Sequence, residues 1–370
     1  MHPCGFRLNK QNKNSLIMKK TLIAVLALAA VAACNKAEVI EQKAPAAISF
    51  ENPFVENATR SVEDPSTETA DLKAFTVYGF MDTPSGIVFN QELVTLDGTE
   101  WKTATTQYWT LGHDYYFAAL AGEDWTLNIA DATTNGAGTV SFTNVDGTND
   151  LLYAAATATT KGENFVITEN NPGPVAFTFN HLLSKVKFAF TNGFANPNTS
   201  IVVKNVTLAV PATGSVDLGK ADWWEGDKWT VPAESALILQ FGDIVVPTTQ
   251  SNGNVVVEDV TGDKVYPSTN NAESYNERLT IPTAFRTYTI TFTAELYQGE
   301  TLAGTYNHEA VVEGIRFQMG HAYKFTAELN GTNINPAEQL IPIKFTVNEV
   351  KGWETEEVYD GGELDTVVNN

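Results

Sequence analysis

The clearest chemistry in this sequence belongs to the thiol of Cys34. Met18-Lys19-Lys20 is a short positive stretch, and Leu22 to Ala33 is an unbroken apolar run. That run is too short to span a bilayer, which takes roughly 20 residues, but it suits the core of a signal peptide. It ends Val31-Ala32-Ala33-Cys34. A signal peptidase needs small side chains ahead of the cut, and the Cys34 thiol would then carry acyl chains. The first 33 residues are therefore expected to be upstream residues and a signal peptide, with Met18 as the working start. Cys4 lies upstream of that start, so the exported protein has no disulfide to lean on, and a large core must stabilise it.

Two other clusters invite a chemical reading. Asp222-Trp223-Trp224-Glu225-Gly226-Asp227-Lys228-Trp229 places flat aromatic faces beside carboxylates. Sugar sites use such rings to stack on C–H faces and such carboxylates to accept hydroxyl hydrogen bonds. Trp223, Trp224 and Trp229 are thus candidate glycan-binding aromatics. The same residues also suit a hairpin that caps the end of a sandwich core, which is the commoner use of tryptophan. Arg60, in Asn57-Ala58-Thr59-Arg60-Ser61-Val62, is the only arginine between Cys34 and Arg278. It lies in a stretch expected to be extended and open to a protease.

Several enzyme classes lack their signatures. No Gly-Lys-Ser/Thr loop or Gly-x-Ser-x-Gly elbow is present, and Gly136-Ala137-Gly138 lacks the third glycine of a dinucleotide site. His113, His181, His308 and His321 are too far apart in sequence to form a local metal pair. No cofactor, no metal and no enzymatic activity are expected. The formal charge of −21 argues against nucleic acid, and loss of the five basic residues of 1–33 takes it to −26. So acidic a surface does not dock on anionic lipid, which leaves the acyl group as the membrane hold.

The elements that must position these residues read as β-strands. In Tyr288–Leu296 the residues Tyr288, Ile290, Phe292, Ala294 and Leu296 share one face, and threonines with Glu295 share the other. Tyr323–Leu329 and Ile341–Val347 repeat that alternation. Further strands are expected at Ala74–Phe80, Asp114–Leu120, Phe165–Thr168, Lys185–Phe190, Ile201–Ala209 and Leu237–Phe241. Asp97-Gly98, Asn135-Gly136, Asp146-Gly147, Asn192-Gly193, Asn252-Gly253 and Asn330-Gly331 supply the turns. The expected class is all-β, with antiparallel β-sandwiches.

Composition divides the chain further. Residues 34–70 are rich in Ala, Glu, Pro, Thr and Ser and read as a lipidated tether holding one strand, Ala46–Val55. Asn170-Asn171-Pro172-Gly173-Pro174 marks an expected boundary between sandwich domains at 71–172 and 173–356. An acidic tail follows at 357–370.

The sequence resembles the fimbrillin (type V pilin, Mfa-like) family of Bacteroidales surface proteins. The resemblance rests on Cys34 and its linker, a short strand before Thr59-Arg60, and the run Phe179-Asn180-His181-Leu182-Leu183-Ser184-Lys185-Val186-Lys187-Phe188. Met319-Gly320-His321-Ala322-Tyr323-Lys324-Phe325, then Ile341–Val347 followed by Trp353, complete it. It implies two transthyretin-like sandwich domains in tandem and a structural role in a fimbrium at the outer membrane or cell surface. It further implies delivery by lipoprotein export machinery and an acyl anchor at Cys34. An Arg-specific protease would cut after Arg60, leaving Ser61 as the new N-terminus. The strand Ala46–Val55, with Ile48, Phe50 and Phe54 as its apolar face, would be removed, and a strand of another pilin subunit would fill the groove.

One departure bears on role. The tail Glu354–Asn370 offers only Val358, Tyr359, Leu364, Val367 and Val368 among acids and glycines, a poor strand to donate. An accessory or tip subunit with a part in adhesion therefore stands beside a stalk subunit. The alternative is a surface lipoprotein that never polymerises and binds a glycan or host protein.

Overall fold

Alternating side chains set the architecture, because a strand with one apolar face must bury it against a second layer. The computed structural model describes residues 45–55, 72–128, 138–161, 172–196, 198–218, 228–233, 235–246, 257–258, 264–265, 271–273, 277–337 and 341–351. Among these, strands make up the regular structure. A seven-stranded sheet runs, in spatial order, Phe54–Val55, Thr178–His181, Leu151–Thr159, Asp114–Gly122, Ala74–Met81, Ile87–Asp97 and Glu100–Thr103. Two five-stranded sheets follow. One orders Asn271–Glu273, Ser184–Asn192, His321–Leu329 and Phe345–Lys351, with Arg278–Thr280 also on Ser184–Asn192. The other orders Leu237–Gln240, Thr199–Val210, Arg286–Gln298 and Thr301–Ile315, with Ile244–Val246 also on Thr199–Val210. A three-stranded sheet joins Thr213–Asp217, Thr139–Thr143 and Trp125–Asn128.

Three cores result. The two five-stranded sheets enclose one of them, in which Val186, Phe188, Phe190, Ile201, Val203, Ile290, Phe292, Tyr323 and Phe325 are buried. The seven-stranded sheet is buried on both faces. Phe75, Val77, Phe89 and Phe117 face a second core, and Tyr78, Phe80, Ala118 and Leu120 face a third with Val140, Phe142, Leu182 and Leu183.

Among the described strands antiparallel pairing dominates, with two parallel pairings against the uniformly antiparallel expectation. Phe54–Val55 runs parallel to Thr178–Phe179, and Ser184–Asn192 runs parallel to His321–Leu329. The second of these sets the two sequence signatures side by side. Val186 faces Tyr323 and Phe188 faces Phe325, the phenylalanine rings 5.3 Å apart and 30° from parallel.

Strands on both sides of the expected boundary at 172 lie in the seven-stranded sheet. Thr178–His181 pairs with Leu151–Thr159, and Thr213–Asp217 returns to pair with Thr139–Thr143. Sheet edges left by the first 172 residues need partners, and later segments supply them. Residues from Pro45 onward accordingly form one unit. Of the expected strands and turns, Phe165–Thr168, Asn135-Gly136 and Asn252-Gly253 lie outside the described residues, as do Trp353 and the acidic tail.

Candidate functional site

The site is the seam filled by residues 45–55. Ala47-Ile48-Ser49-Phe50 alternates, and Ile48 and Phe50 are buried. Pro53 then breaks the alternation: Pro53 is buried and Phe54 is 57% exposed. The apolar face is therefore Ile48, Phe50 and Pro53, and the placement of Phe54 on it is corrected. Proline has no N–H to give a ladder and shifts the side-chain phase where it sits.

Both flanks of the segment are hydrogen-bonded. On one side it runs antiparallel to residues 101–109. Ile48 N–H donates to the Gln107 carbonyl at 2.8 Å, Trp109 N–H donates to the Ala46 carbonyl at 2.9 Å, and Phe50 lies opposite Trp101. On the other side it runs parallel to residues 175–179. Val175 N–H donates to Ser49 at 2.8 Å, Glu51 N–H to Val175 at 3.1 Å and Phe54 N–H to Phe177 at 2.9 Å. Trp101 belongs to the edge strand Glu100–Thr103, and Phe179 to the strand beside the opposite edge. Residues 45–55 thus close the seven-stranded sheet on itself.

Side chains fix the register. The Phe50 ring sits 5.8 Å from Phe75, 5.7 Å from Phe89 and 6.0 Å from Phe177, an aromatic socket. The Trp101 indole Nε1 donates to Asn52 Oδ1 at 3.0 Å. Burying Ile48 and Phe50 contributes about 1.5–3 kcal/mol each. Taking the segment out would expose that socket together with unpaired backbone groups on two edges, which is a template for another strand.

Cys34, Arg60, Ser61, Trp223 and Trp224 lie outside the described residues. Trp229 is described and buried at 5% exposure, among Val216, Leu218 and Ile281. Its ring packs and presents no face to a sugar. Trp101, Asn52, Val175 and Phe177 were not singled out from the sequence. The alternation Val175-x-Phe177-x-Phe179 was the available signal for the parallel flank. For Trp101 there was none, since it stands in a short polar strand.

The histidines are engaged structurally. Each of three sets its Nδ1 on a carboxylate: His113 on Asp82 at 2.7 Å, His181 on Asp150 at 2.6 Å and His321 on Glu349 at 2.7 Å. Asp82 is held at about 2, chiefly by its hydrogen bond from Lys161, with burial opposing and His113 adding. Glu349 feels burial first, which pushes its carboxyl up. Hydrogen bonds from His321, Tyr323 and Gln318 outweigh that and hold it below the usual value. His308 is buried, stacks on Phe292 at 4.8 Å and is pushed down by burial, against a bond to the backbone of Ile334. Among the described residues no three His, Cys, Asp or Glu gather as metal ligands, and no helix is long and apolar enough to cross a membrane.

The fimbrillin-like family model matches residues 59–349. The chain belongs to the fimbrillin-like family. As a fimbrillin-like protein it is similar in fold to a fimbrial protein from Bacteroides vulgatus, with a TM-score of 0.51 at 13% identity over 83% of this chain and 99% of that one. A candidate cell adhesion protein from Bacteroides ovatus aligns at a TM-score of 0.45 and 15% identity, over 85% of this chain and 100% of that one. No curated protein sequence matches.

The run 179–188 joins the cores of this fimbrillin-like protein. Phe179 enters the core under residues 45–55, Leu182 and Leu183 enter the core shared with the three-stranded sheet, and Val186 and Phe188 enter the core between the two five-stranded sheets. Ser184 donates its hydroxyl to the Gln318 carbonyl at 2.6 Å, and Lys185 pairs with Glu277 at 2.9 Å. One short run threads all three cores.

Proposed function

We propose that this fimbrillin-like chain is a structural or accessory subunit of a cell-surface fimbrium with a role in adhesion. It is exported as a lipoprotein acylated on Cys34, activated by cleavage after Arg60 and assembled by strand exchange with other subunits. The observation that carries the reading is the seam. Among the described residues, 45–55 close the seven-stranded sheet, hydrogen-bonded on both flanks, and they lie between Cys34 and Arg60 in the chain. A cut after Arg60 severs that strand, and the lipid, from the body they serve. Family membership and the likeness to a fimbrial protein support the same reading.

The test is N-terminal sequencing of surface fractions, with and without an Arg-specific protease, beside unboiled gels. Mature protein beginning at Ser61 and a ladder of subunits are expected. Surface protein that retains Ala46–Val55 and acyl-Cys34 despite the protease would overturn the reading. A Ser61 terminus without ladders would place the chain at an accessory or terminal position, in keeping with its acidic tail.

A further inference from the structure

We infer that Trp101 selects the strand that occupies the seam, admitting a strand of another protein chain with an aliphatic residue, an aromatic residue and a hydrogen-bond acceptor at alternate positions. This rests on the strand-exchange reading above and names the partner that reading requires.

The resident strand is the template. Ile48 supplies the aliphatic group, Phe50 fills the socket of Phe75, Phe89 and Phe177, and Asn52 accepts the indole N–H of Trp101 at 3.0 Å. The two kinds of contact act differently. The socket gives affinity to any strand with a large ring at the Phe50 position, because apolar burial has no direction. The indole N–H has a direction and one donor. Trp101 is 8% exposed, so the N–H depends on what lies across the seam. A strand with an apolar residue at the Asn52 position covers the donor and offers it nothing, the arrangement that polar sites use to reject a near fit.

The same rule says which strand is excluded. Beyond residue 351 the aromatic residues are Trp353 and Tyr359. The residues two before them are Lys351 and Glu357, and those two after are Thr355 and Gly361. Neither carries an aliphatic residue at the first position. Residues 352–370 of a second copy therefore do not meet the demand, which points to a different chain as the donor.

The experiment keeps the full chain and replaces residues 57–62 with the recognition sequence of a site-specific protease, so that cutting does not depend on Arg60. After the cut, a labelled peptide of residues 45–55 is offered and its exchange into the seam is followed by fluorescence anisotropy. The wild-type peptide should bind, the Asn52→Asp peptide should bind within about twofold of it, and the Asn52→Leu peptide about tenfold more weakly. In Trp101→Phe protein the Asn and Leu peptides should bind alike, which loss of packing alone would not produce. Equal binding of the Asn and Leu peptides to wild-type protein overturns the selection and leaves strand exchange standing. A peptide of residues 352–370 that binds as tightly as residues 45–55 overturns the exclusion of a second copy. Failure of every peptide to exchange overturns the strand-exchange reading and the selection together.

Discussion

Tyr323 donates its phenolic hydroxyl to Glu349 Oε1 at 2.9 Å, tying the strand His321–Leu329 to the last described strand, Phe345–Lys351. The same oxygen accepts from His321 Nδ1 at 2.7 Å and from Gln318 Nε2 at 2.6 Å. Glu349→Leu would leave three donors without their acceptor and should cost about 1–3 kcal/mol in urea unfolding near neutral pH. The carboxyl is held below its ordinary value of 4.5, so its contribution is present above that pH and is lost as the pH falls through the folded-state value. The stability difference between wild type and Glu349→Leu should therefore shrink below pH 4.5, and a difference independent of pH would contradict the carboxylate's role.

Phe50 and Phe54 lie four positions apart on one strand and should behave oppositely. Phe50→Ala empties the aromatic socket and should cost about 3–5 kcal/mol of stability in the uncut chain. Phe54, 57% exposed, should tolerate alanine within about 0.5 kcal/mol. Chemical denaturation of the two variants side by side checks the phase shift at Pro53.

His308 titrates in another window. Burial disfavours its charged form and holds its folded-state pKa below the ordinary 6.5, so the unfolded chain binds the extra proton more readily. Stability from this residue is complete above pH 6.5 and lost as the pH falls below it. His308→Phe, which keeps a ring against Phe292, should flatten the pH 5–6.5 limb of the melting-temperature profile relative to wild type. Parallel profiles through that range would contradict the assignment.

Gly122 ends the strand Asp114–Gly122 with φ +106°, and a Cβ there would overlap the carbonyl oxygen of Asp150. That oxygen belongs to backbone, which cannot step aside as a flexible side chain does. Gly122→Ala should cost more than about 2 kcal/mol, whereas Gly98→Ala, at a turn with open space around it, should cost about 1 kcal/mol. Thermal melts of both variants separate steric overlap from backbone strain alone.

Period-two alternation made much of the fold legible in advance. Tyr288–Leu296 and Tyr323–Leu329 are strands because one face of each must reach the core. Several strands escaped, Ile87–Asp97 and Thr139–Thr143 among them, and three cases show why. Leu151–Thr159 is alanine-rich, and alanine has little strand preference. Thr301–Ile315, an edge strand, is largely solvated, so its pattern is faint over the first half. Ile341, read as core, is 53% exposed because Pro342 delays the strand until Phe345. At the seam, Ile48 and Phe50 were legible as an alternating pair. Their pairing with Trp101 and Val175 was not, since alternation at 175–179 marks a strand but not which distant segment it meets. Composition at 170–174 reports local chain character, and it says nothing of the pairing of Thr178–His181 with Leu151–Thr159 across the sheet.

The closure made by residues 45–55 also sets an order of events. The strand carrying Phe50 is among the first parts of the fold to be synthesised, yet its parallel flank at Val175 comes far later in the chain. Until that flank is made, the strand has only residues 101–109 to hold it, and its aromatic socket lacks the wall that Phe177 provides. Long-range pairing of this kind slows folding. Completing the sheet is therefore a late event in folding, and the first described strand waits for it.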